Sequence, residues 1–291
     1  MPLTDFHRQP PPAGLPLGLP FIKMHGLRNH FVFVDRRHLA VPLAAADIVR
    51  ICDVHEGVGA EQVIGIENPS PTARAAGAYA LMRIFNIDGR ESEACGNATR
   101  CLAHLLFEEA GCDDILIETL GGLLACRKTG AMEASVTLGP ISMDWRLLPL
   151  SHAADTAHLP VASGPLRDGL ALSIGNPHAV FFVDDFDAVD IAAVAPAIAR
   201  HPLFPHSVNV SVAQVVDAAT LKLAVWERPG MLTEACGTGA CVAAYAGRLR
   251  GFLNSDDITV QLPAGPLRIK LLDDGRALMT GPVAFCCAGY V

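Results

Sequence analysis

The tetrapeptide Glu-Ala-Cys-Gly occurs twice in this chain, and the two cysteines, Cys95 and Cys236, stand 236 − 95 = 141 positions apart. Each is followed by glycine and then by a helical stretch, so each sits at or just before a helix start, where free N–H groups and the helix dipole create positive potential. That setting favours thiolate over thiol, and the same N–H groups can hold a carboxylate. Two such thiols on opposite sides of an α-carbon can invert it, one sulfur removing the α-proton and the other delivering a proton to the far face. Donors aimed at the carboxylate would stabilise the carbanion formed in between. One Ala-Cys-Gly alone reads as packing at a tight turn; two copies at matched positions read as chemistry.

Other uses of the thiols fit less well. Soft metals take three or four ligands; His104 is close in sequence to Cys95 and no histidine is close to Cys236, so no metal is expected. A disulfide between the two would be an inactivating side reaction. Cys52, Cys101, Cys112, Cys126, Cys241, Cys286 and Cys287 read as small apolar core residues.

The elements that position the cysteines repeat as well. Nine residues before Cys95 stands Asn86, at the end of the apolar run Tyr79–Phe85; nine before Cys236 stands Glu227, after Leu221–Trp226. Both runs read as strands entering a loop. After Cys95, Ala98, Cys101, Leu102, Leu105 and Leu106 mark one apolar helix stripe; Gly237–Leu249 is small and apolar nearly all round, the mark of a buried helix. A looser repeat, Asn29–Asp35 against His178–Asp184, is offset by 178 − 29 = 149. Further strands are predicted at Gln62–Glu67, Asp114–Leu120, Leu123–Lys128, Ala134–Leu138, Val208–Val216, Ile258–Leu262 and Leu267–Leu272. The expected fold is α+β: two pseudo-symmetric domains, each a curved mixed or antiparallel sheet wrapped around a central helix. The domains are placed at 21–138, completed by a C-terminal strand at 279–291, and at 139–278, with the linker near Leu138–Met143. The duplication would set two helix starts across an inter-domain cleft suited to a small molecule. His178, after the turn Gly175-Asn176-Pro177, and Glu227 are candidates to orient or deprotonate a thiol.

Composition narrows the partners. Of 291 residues 51% are hydrophobic, ample for a core, and 22 basic against 30 acidic side chains leave a net charge of −8. The absence of a basic cluster argues against nucleic acid as a partner. No apolar run approaches the ~18–20 residues of a membrane span. The proline-rich residues 1–20 lack a basic n-region and read as a mobile tail rather than a signal peptide. Nine cysteines without an export signal point to the reducing cytoplasm. No lysine stands in a recognisable aldimine setting, and the thiols supply a route without a cofactor.

At this point the motifs resemble those of the diaminopimelate epimerase family. Lys23-Met24-His25-Gly26-Leu27, Phe85-Asn86-Ile87-Asp88-Gly89, Ala94-Cys95-Gly96-Asn97, Gly175-Asn176-Pro177-His178, His201-Pro202-Leu203-Phe204-Pro205, Val208-Asn209-Val210, Trp226-Glu227-Arg228 and Ala235–Cys241 run in the family's order from about Phe21 to Gly281. The resemblance implies a cofactor-independent homodimer that interconverts LL- and meso-diaminopimelate for lysine and cell-wall precursor synthesis. It implies Cys95 and Cys236 as the acid/base pair, tuned by His178 and Glu227. It further implies substrate contacts at Asn29, Gln62, Asn86, Gly96, Asn97, Asn176, Asn209, Glu227, Arg228, Gly237 and Thr238. Three stretches depart from the family's usual pattern: Arg28-Asn29-His30, with arginine where a glycine is usual, Ala98-Thr99-Arg100, and Pro229–Leu232 beside Cys236. The rival readings are a two-thiol racemase for histidine, proline or hydroxyproline on the same fold, and a silent binding homologue. Asn97 speaks against the proline-racemase branch, and the two intact cysteine motifs against the silent one.

Overall fold

The computed structural model describes residues 17–39, 43–228 and 230–291. Residues 1–16 of the expected tail lie outside the described residues. The rest of that stretch is no free tail. The Leu19 N–H donates to the Val291 carbonyl at 3.1 Å and the Val291 N–H donates back at 2.9 Å, and the first strand begins at Pro20.

The chain divides into two compact units. Unit 1 takes the chain up to Val136 and then Gly281–Val291; unit 2 is Thr137–Thr280. The crossings thus fall at 136/137 and 280/281, against the 138/139 and 278/279 expected from sequence.

Unit 1 holds strands β1 (Pro20–Gly26), β2 (Asn29–Asp35), β3 (Gln62–Glu67), β4 (Ala78–Asn86), β5 (Glu91–Ser92), β6 (Asp114–Thr119), β7 (Gly122–Gly130) and most of β8 (Glu133–Leu138). Unit 2 holds β9 (Leu170–Ser173), β10 (Pro177–Phe182), β11 (Asn209–Asp217), β12 (Thr220–Glu227), β13 (Met231–Thr233), β14 (Asp257–Leu262), β15 (Gly265–Leu271) and most of β16 (Ala277–Pro282). Strand β17 (Ala284–Tyr290) returns to unit 1. The helices are α1 (Ala45–Cys52), α2 (Pro71–Ala75) and α3 (Gly96–Ala110) in unit 1, and α4 (Ile191–Ala199) and α5 (Gly237–Leu249) in unit 2.

In unit 1 the strands run β17-β1-β2-β3-β4-β6-β7-β8, with β2–β3 and β4–β6 parallel and the other pairs antiparallel. Unit 2 runs β9-β10-β11-β12-β14-β15-β16, with β10–β11 and β12–β14 parallel. The parallel pairs fall at the same places, and β5 and β13 each fold back antiparallel on the end of the strand before them. The α+β class with two pseudo-symmetric units is therefore what the chain adopts.

The sheet registers correct one part of the sequence reading. Gln62 pairs with Asn86, and its neighbour on β2 is Phe31. Asn209 is the neighbour of His178 on β10, and on β12 the register that sets Val210 opposite Trp226 continues to Glu227 opposite Asn209. The offset across β2/β10 is thus 178 − 31 = 147, equal to 209 − 62 = 147, and not 149. His178 stands where unit 1 has Phe31, not Asn29. The step from 147 to the 141 of the cysteines arises between β3 and β4, where unit 1 inserts α2. The opening repeat misled because Phe-Val-Asp closes β2, whereas in unit 2 it starts at Phe182, the last residue of β10, two positions later in the register.

Alternation within the strands confirms the match. Val32 and Val34 pack with Ile48 and Ile51 of α1, and Ala179 and Phe181 pack with Ile191, Ala195 and Ile198 of α4. The period of two then turns Phe31 and Phe33, and equally His178 and Val180, to the opposite face. On those faces lie the long helices: α3 packs on β1, β2, β6 and β7, and α5 on β9, β10, β11, β12, β14 and β15. Strands covered on both faces read as unbroken apolar runs, as β2 and β10 do.

Helix α3 fills its unit with Leu102 and Leu106, both fully buried, and ends at Gly111, whose φ of 65° is the left-handed stop that glycine supplies. Helix α5 solves the same problem with small residues. A Cβ on Gly239 would lie 2.7 Å from Val225 Cγ2, so glycine is what lets the head of α5 sit against β12.

Candidate active site

Each cysteine is the N-cap of its unit's long helix. Cys95 caps α3 with φ −149° and Cys236 caps α5 with φ −119°, both extended. The strand-to-helix turn ends there because Gly96 and Gly237 open the helices with no side chain between sulfur and backbone. The Cys95 carbonyl accepts both the N–H and the hydroxyl of Thr99 at 2.9 Å, which locks the first turn of α3. The Cys236 carbonyl accepts the Ala240 N–H at 3.0 Å, and its sulfur accepts the Gly239 N–H at 3.4 Å. Upstream, the Glu93 carbonyl accepts the Gly121 N–H at 3.2 Å, and the Glu234 carbonyl accepts the Ala264 N–H at 3.1 Å, a matched pair of braces.

Around Cys95 the helpers are mostly amides. Cys95 is half-buried, and Gly96 and Asn97 are buried. Asn97 Nδ2 donates to Asn29 Oδ1 at 3.2 Å, while Asn29 Nδ2 donates to Glu61. Gln62 Nε2 donates to Asn86 Oδ1 at 2.9 Å across β3 and β4. The amide oxygen of Gln62, Oε1, is buried with no protein partner, an acceptor open to a ligand's donor. Glu61 was not anticipated; as one acidic side chain in an exposed loop, it carries no signal until the fold brings it to Asn29.

Around Cys236 stand ionisable side chains as well as amides. His178 is fully buried, its Nε2 lies 3.1 Å from Thr238 Oγ1 and 3.4 Å from Asn209 Nδ2, and its Nδ1 has no protein partner. Burial, with the Arg228 guanidinium adding to it, lowers the imidazole to about 3, so His178 is neutral at physiological pH. Asn176 Nδ2 donates to Thr238 Oγ1 at 3.3 Å, and Thr238 Oγ1 lies 3.5 Å from Cys236 Sγ. Asn209 Oδ1 accepts the Arg228 N–H at 3.0 Å, and Arg228 Nη1 donates to the His206 carbonyl at 3.3 Å. Glu227 is hydrogen-bonded to the Cys236 thiol and accepts from Thr233 Oγ1 at 2.7 Å. Burial raises the Glu227 carboxyl above its ordinary value. Thr233, next to the repeated motif, is a second residue that sequence reasoning passed over.

One expectation is overturned in this cluster. The helix start was expected to favour the Cys236 thiolate. Burial, reinforced by Glu227, instead pushes the thiol well above its ordinary value, and the Thr238 and Gly239 hydrogen bonds pull it down without prevailing. Desolvation of a charge costs more than one helix dipole returns.

All nine cysteines are free thiols. Among the described residues, no group of three or more His, Cys, Asp or Glu is arranged to hold a metal ion, and no helix is long and apolar enough to cross a membrane.

Fold and site together define a duplicated α+β protein that carries one cysteine at the head of the buried helix of each half. A family model described as diaminopimelate epimerase matches residues 21–143 and 170–286. The diaminopimelate epimerase of Rhodospirillum centenum is 44% identical over 269 residues, covering 92% of this chain and 91% of that protein. That of Rhizorhabdus wittichii is 46% identical over 263 residues, 90% and 91% of the two chains. Among solved structures, a hydroxyproline epimerase from Agrobacterium vitis aligns with TM-score 0.65 at 16% identity, over 94% of this chain and 92% of that one. A PhzF-family protein from Enterococcus faecalis aligns with TM-score 0.65 at 14% identity, over 94% and 98%. These two likenesses show the fold. The chain belongs to the diaminopimelate epimerase family.

Proposed function

We propose that this protein interconverts LL- and meso-2,6-diaminopimelate by moving one α-proton, in the synthesis of lysine and peptidoglycan precursors. The observation that carries this reading is the pair of cysteines capping two pseudo-equivalent helices. In a chain of this family, inversion needs a base on one face of the α-carbon and an acid on the other, and two thiols supply both. One thiol acts as the base and the other as the acid, and the reverse reaction exchanges the roles. The N–H groups of Gly96, Asn97, Gly237 and Thr238 at the two helix starts are assigned to the carboxylate, whose negative charge grows as the proton leaves. Asn29, Gln62, Asn86, Asn176, Asn209 and Arg228 are assigned to the polar ends of the substrate, with the unpartnered Gln62 Oε1 and Asn176 Oδ1 as acceptors for an ammonium. His178 and Glu227 tune Cys236.

The reaction in this reading takes no cofactor, the enzyme is a homodimer, and its nine free thiols suit a reduced cytoplasm. The deciding experiment incubates reduced protein, stripped of metal and pyridoxal phosphate, with LL-diaminopimelate in D₂O. The expected result is meso product carrying α-deuterium. No exchange from a folded protein with both thiols titratable would reject diaminopimelate as substrate. Sedimentation velocity tests the homodimer; a single monomer boundary at micromolar concentration would reject it.

A further inference from the structure

We propose that His178 acts on Cys236 only through the Thr238 hydroxyl, whose O–H it holds away from the sulfur, so that Thr238 is a two-position hydrogen-bond switch beside the thiol.

The direction of each hydrogen bond follows from the geometry. Asn209 Oδ1 is fixed by the backbone N–H of Arg228 at 3.0 Å, so its amide donor Nδ2 is the group that faces His178 Nε2 at 3.4 Å. A nitrogen that meets an N–H donor is an acceptor, which places the imidazole proton on Nδ1. The same Nε2 lies 3.1 Å from Thr238 Oγ1, so the hydroxyl donates to it. A hydroxyl has one proton. Once that proton points to His178, Oγ1 offers only lone pairs to its other neighbours, Asn176 Nδ2 at 3.3 Å and Cys236 Sγ at 3.5 Å. Lone pairs give nothing to a sulfur whose S–H is held by Glu227, and they repel a thiolate.

When Cys236 loses its proton the balance changes. A thiolate is a charged acceptor, and hydrogen bonds to charged groups are the stronger kind. Rotation about the Thr238 side chain then turns the O–H from His178 Nε2 to the sulfur, and no proton passes between heavy atoms in that rotation. His178 Nε2 is the competing acceptor that opposes the turn. The ionisable groups that bear on this cluster are Glu227, bonded to the thiol, and Arg228, which acts on His178. Burial keeps His178 neutral and therefore an acceptor throughout. His178 and Thr238 are thus positioning residues of opposite sign: the hydroxyl favours the thiolate, and the imidazole withholds it. Unit 1 has no such device, since its counterparts of His178 and Thr238 are Phe31 and Asn97.

The inference rests on Cys236 as an acid/base group, but its test needs no turnover. The rate of Cys236 alkylation by iodoacetamide is followed against pH by peptide mass spectrometry in the full-length reduced protein. Thr238→Val, which removes the hydroxyl and keeps the shape, should slow alkylation near neutral pH about tenfold, one unit in the thiol titration. Thr238→Ser should restore the wild-type profile. His178→Phe, which copies unit 1, should speed alkylation several-fold. The double variant His178→Phe/Thr238→Val should match Thr238→Val alone, because the imidazole has nothing left to hold. Additive effects in the double variant, effects of the same sign in the two single variants, or an unchanged Thr238→Val titration would each overturn the proposal. Should His178→Phe not fold, the Thr238→Val and Thr238→Ser pair still decides it. Wild-type turnover of LL-diaminopimelate, measured separately, reports on the reaction and not on the switch.

Discussion

Acid should unfold this protein partly through His178, by an amount that follows from its burial. The ordinary imidazole value is 6.5, and burial with Arg228 lowers it to about 3. A folded-state value below the unfolded one means that the unfolded chain binds the proton first. The stability contributed by a neutral His178 is therefore fully present above about pH 6.5 and is lost as the pH falls towards 3. Within that window the loss is ~1.4 kcal/mol per pH unit, or ~2 kcal/mol by about pH 5. The perturbation is His178→Gln, which keeps a polar side chain beside Thr238 and cannot titrate. Urea unfolding at about pH 7.5 and about pH 5, with matched slopes, reads the two stabilities for each protein. His30 and His104 are lowered in the same direction by their own burial, and being present in both proteins they cancel in the difference. The wild type should lose ~2 kcal/mol more than the variant between the two pH values. If both lose the same within ~0.5 kcal/mol, the imidazole is not held neutral by the fold and the reasoning fails.

Other consequences are open to direct test. Cys95→Ala and Cys236→Ala should each abolish inversion of diaminopimelate while leaving the fold intact. Their stabilities should differ, because Cys95 makes no capping hydrogen bond while Cys236 accepts the Gly239 N–H; loss of the cap should cost about 1 kcal/mol at Cys236 alone. Turnover surviving either change would remove the two-thiol mechanism. Gly239→Ala, a favourable swap in an exposed helix, should destabilise by ~1–3 kcal/mol because its Cβ meets Val225 at 2.7 Å; an equal or raised melting temperature would show that α5 has room to shift. Arg28 holds φ 64° in the β1–β2 turn, so Arg28→Gly should stabilise by up to ~1 kcal/mol. A lower melting temperature in that variant would show that the arginine side chain contributes more than its backbone costs.

What the sequence made legible was whatever repeats or alternates. The doubled Glu-Ala-Cys-Gly and the apolar runs ending at Asn86 and Glu227 located both caps and the strands that feed them. The helices at 96 and 237 followed from one apolar stripe and one all-apolar run. The rest was hidden for physical reasons. Strand β9, four residues of Leu-Ala-Leu-Ser, is too short for a period to show, and α4 carries Pro196, a helix-breaking signal. The two-residue register error across β10 was invisible because a valine- and phenylalanine-rich strand covered on both faces has no polar side to mark its phase. The sign of the Cys236 shift was illegible as well. Sequence shows a helix start, but only the fold shows how completely the sulfur and its neighbours are withdrawn from water.

That error at His178 bears on how the two halves differ. Matched by sequence, His178 answers to Asn29, a polar group in each half. Matched by register, it answers to Phe31, which is fully buried. The same registers set Glu227 against Asn86, a half-buried acid against an amide. Duplication thus preserved the frame that sets a thiol at each helix start, while the proton-bearing helpers accumulated on the side of Cys236. A reaction that inverts a stereocentre in both directions needs two thiols of workable reactivity, not two identical surroundings. Cys236 is buried, and its burial works against the thiolate. That burial must be offset locally, by the Gly239 N–H on the sulfur and a hydroxyl that can turn to it.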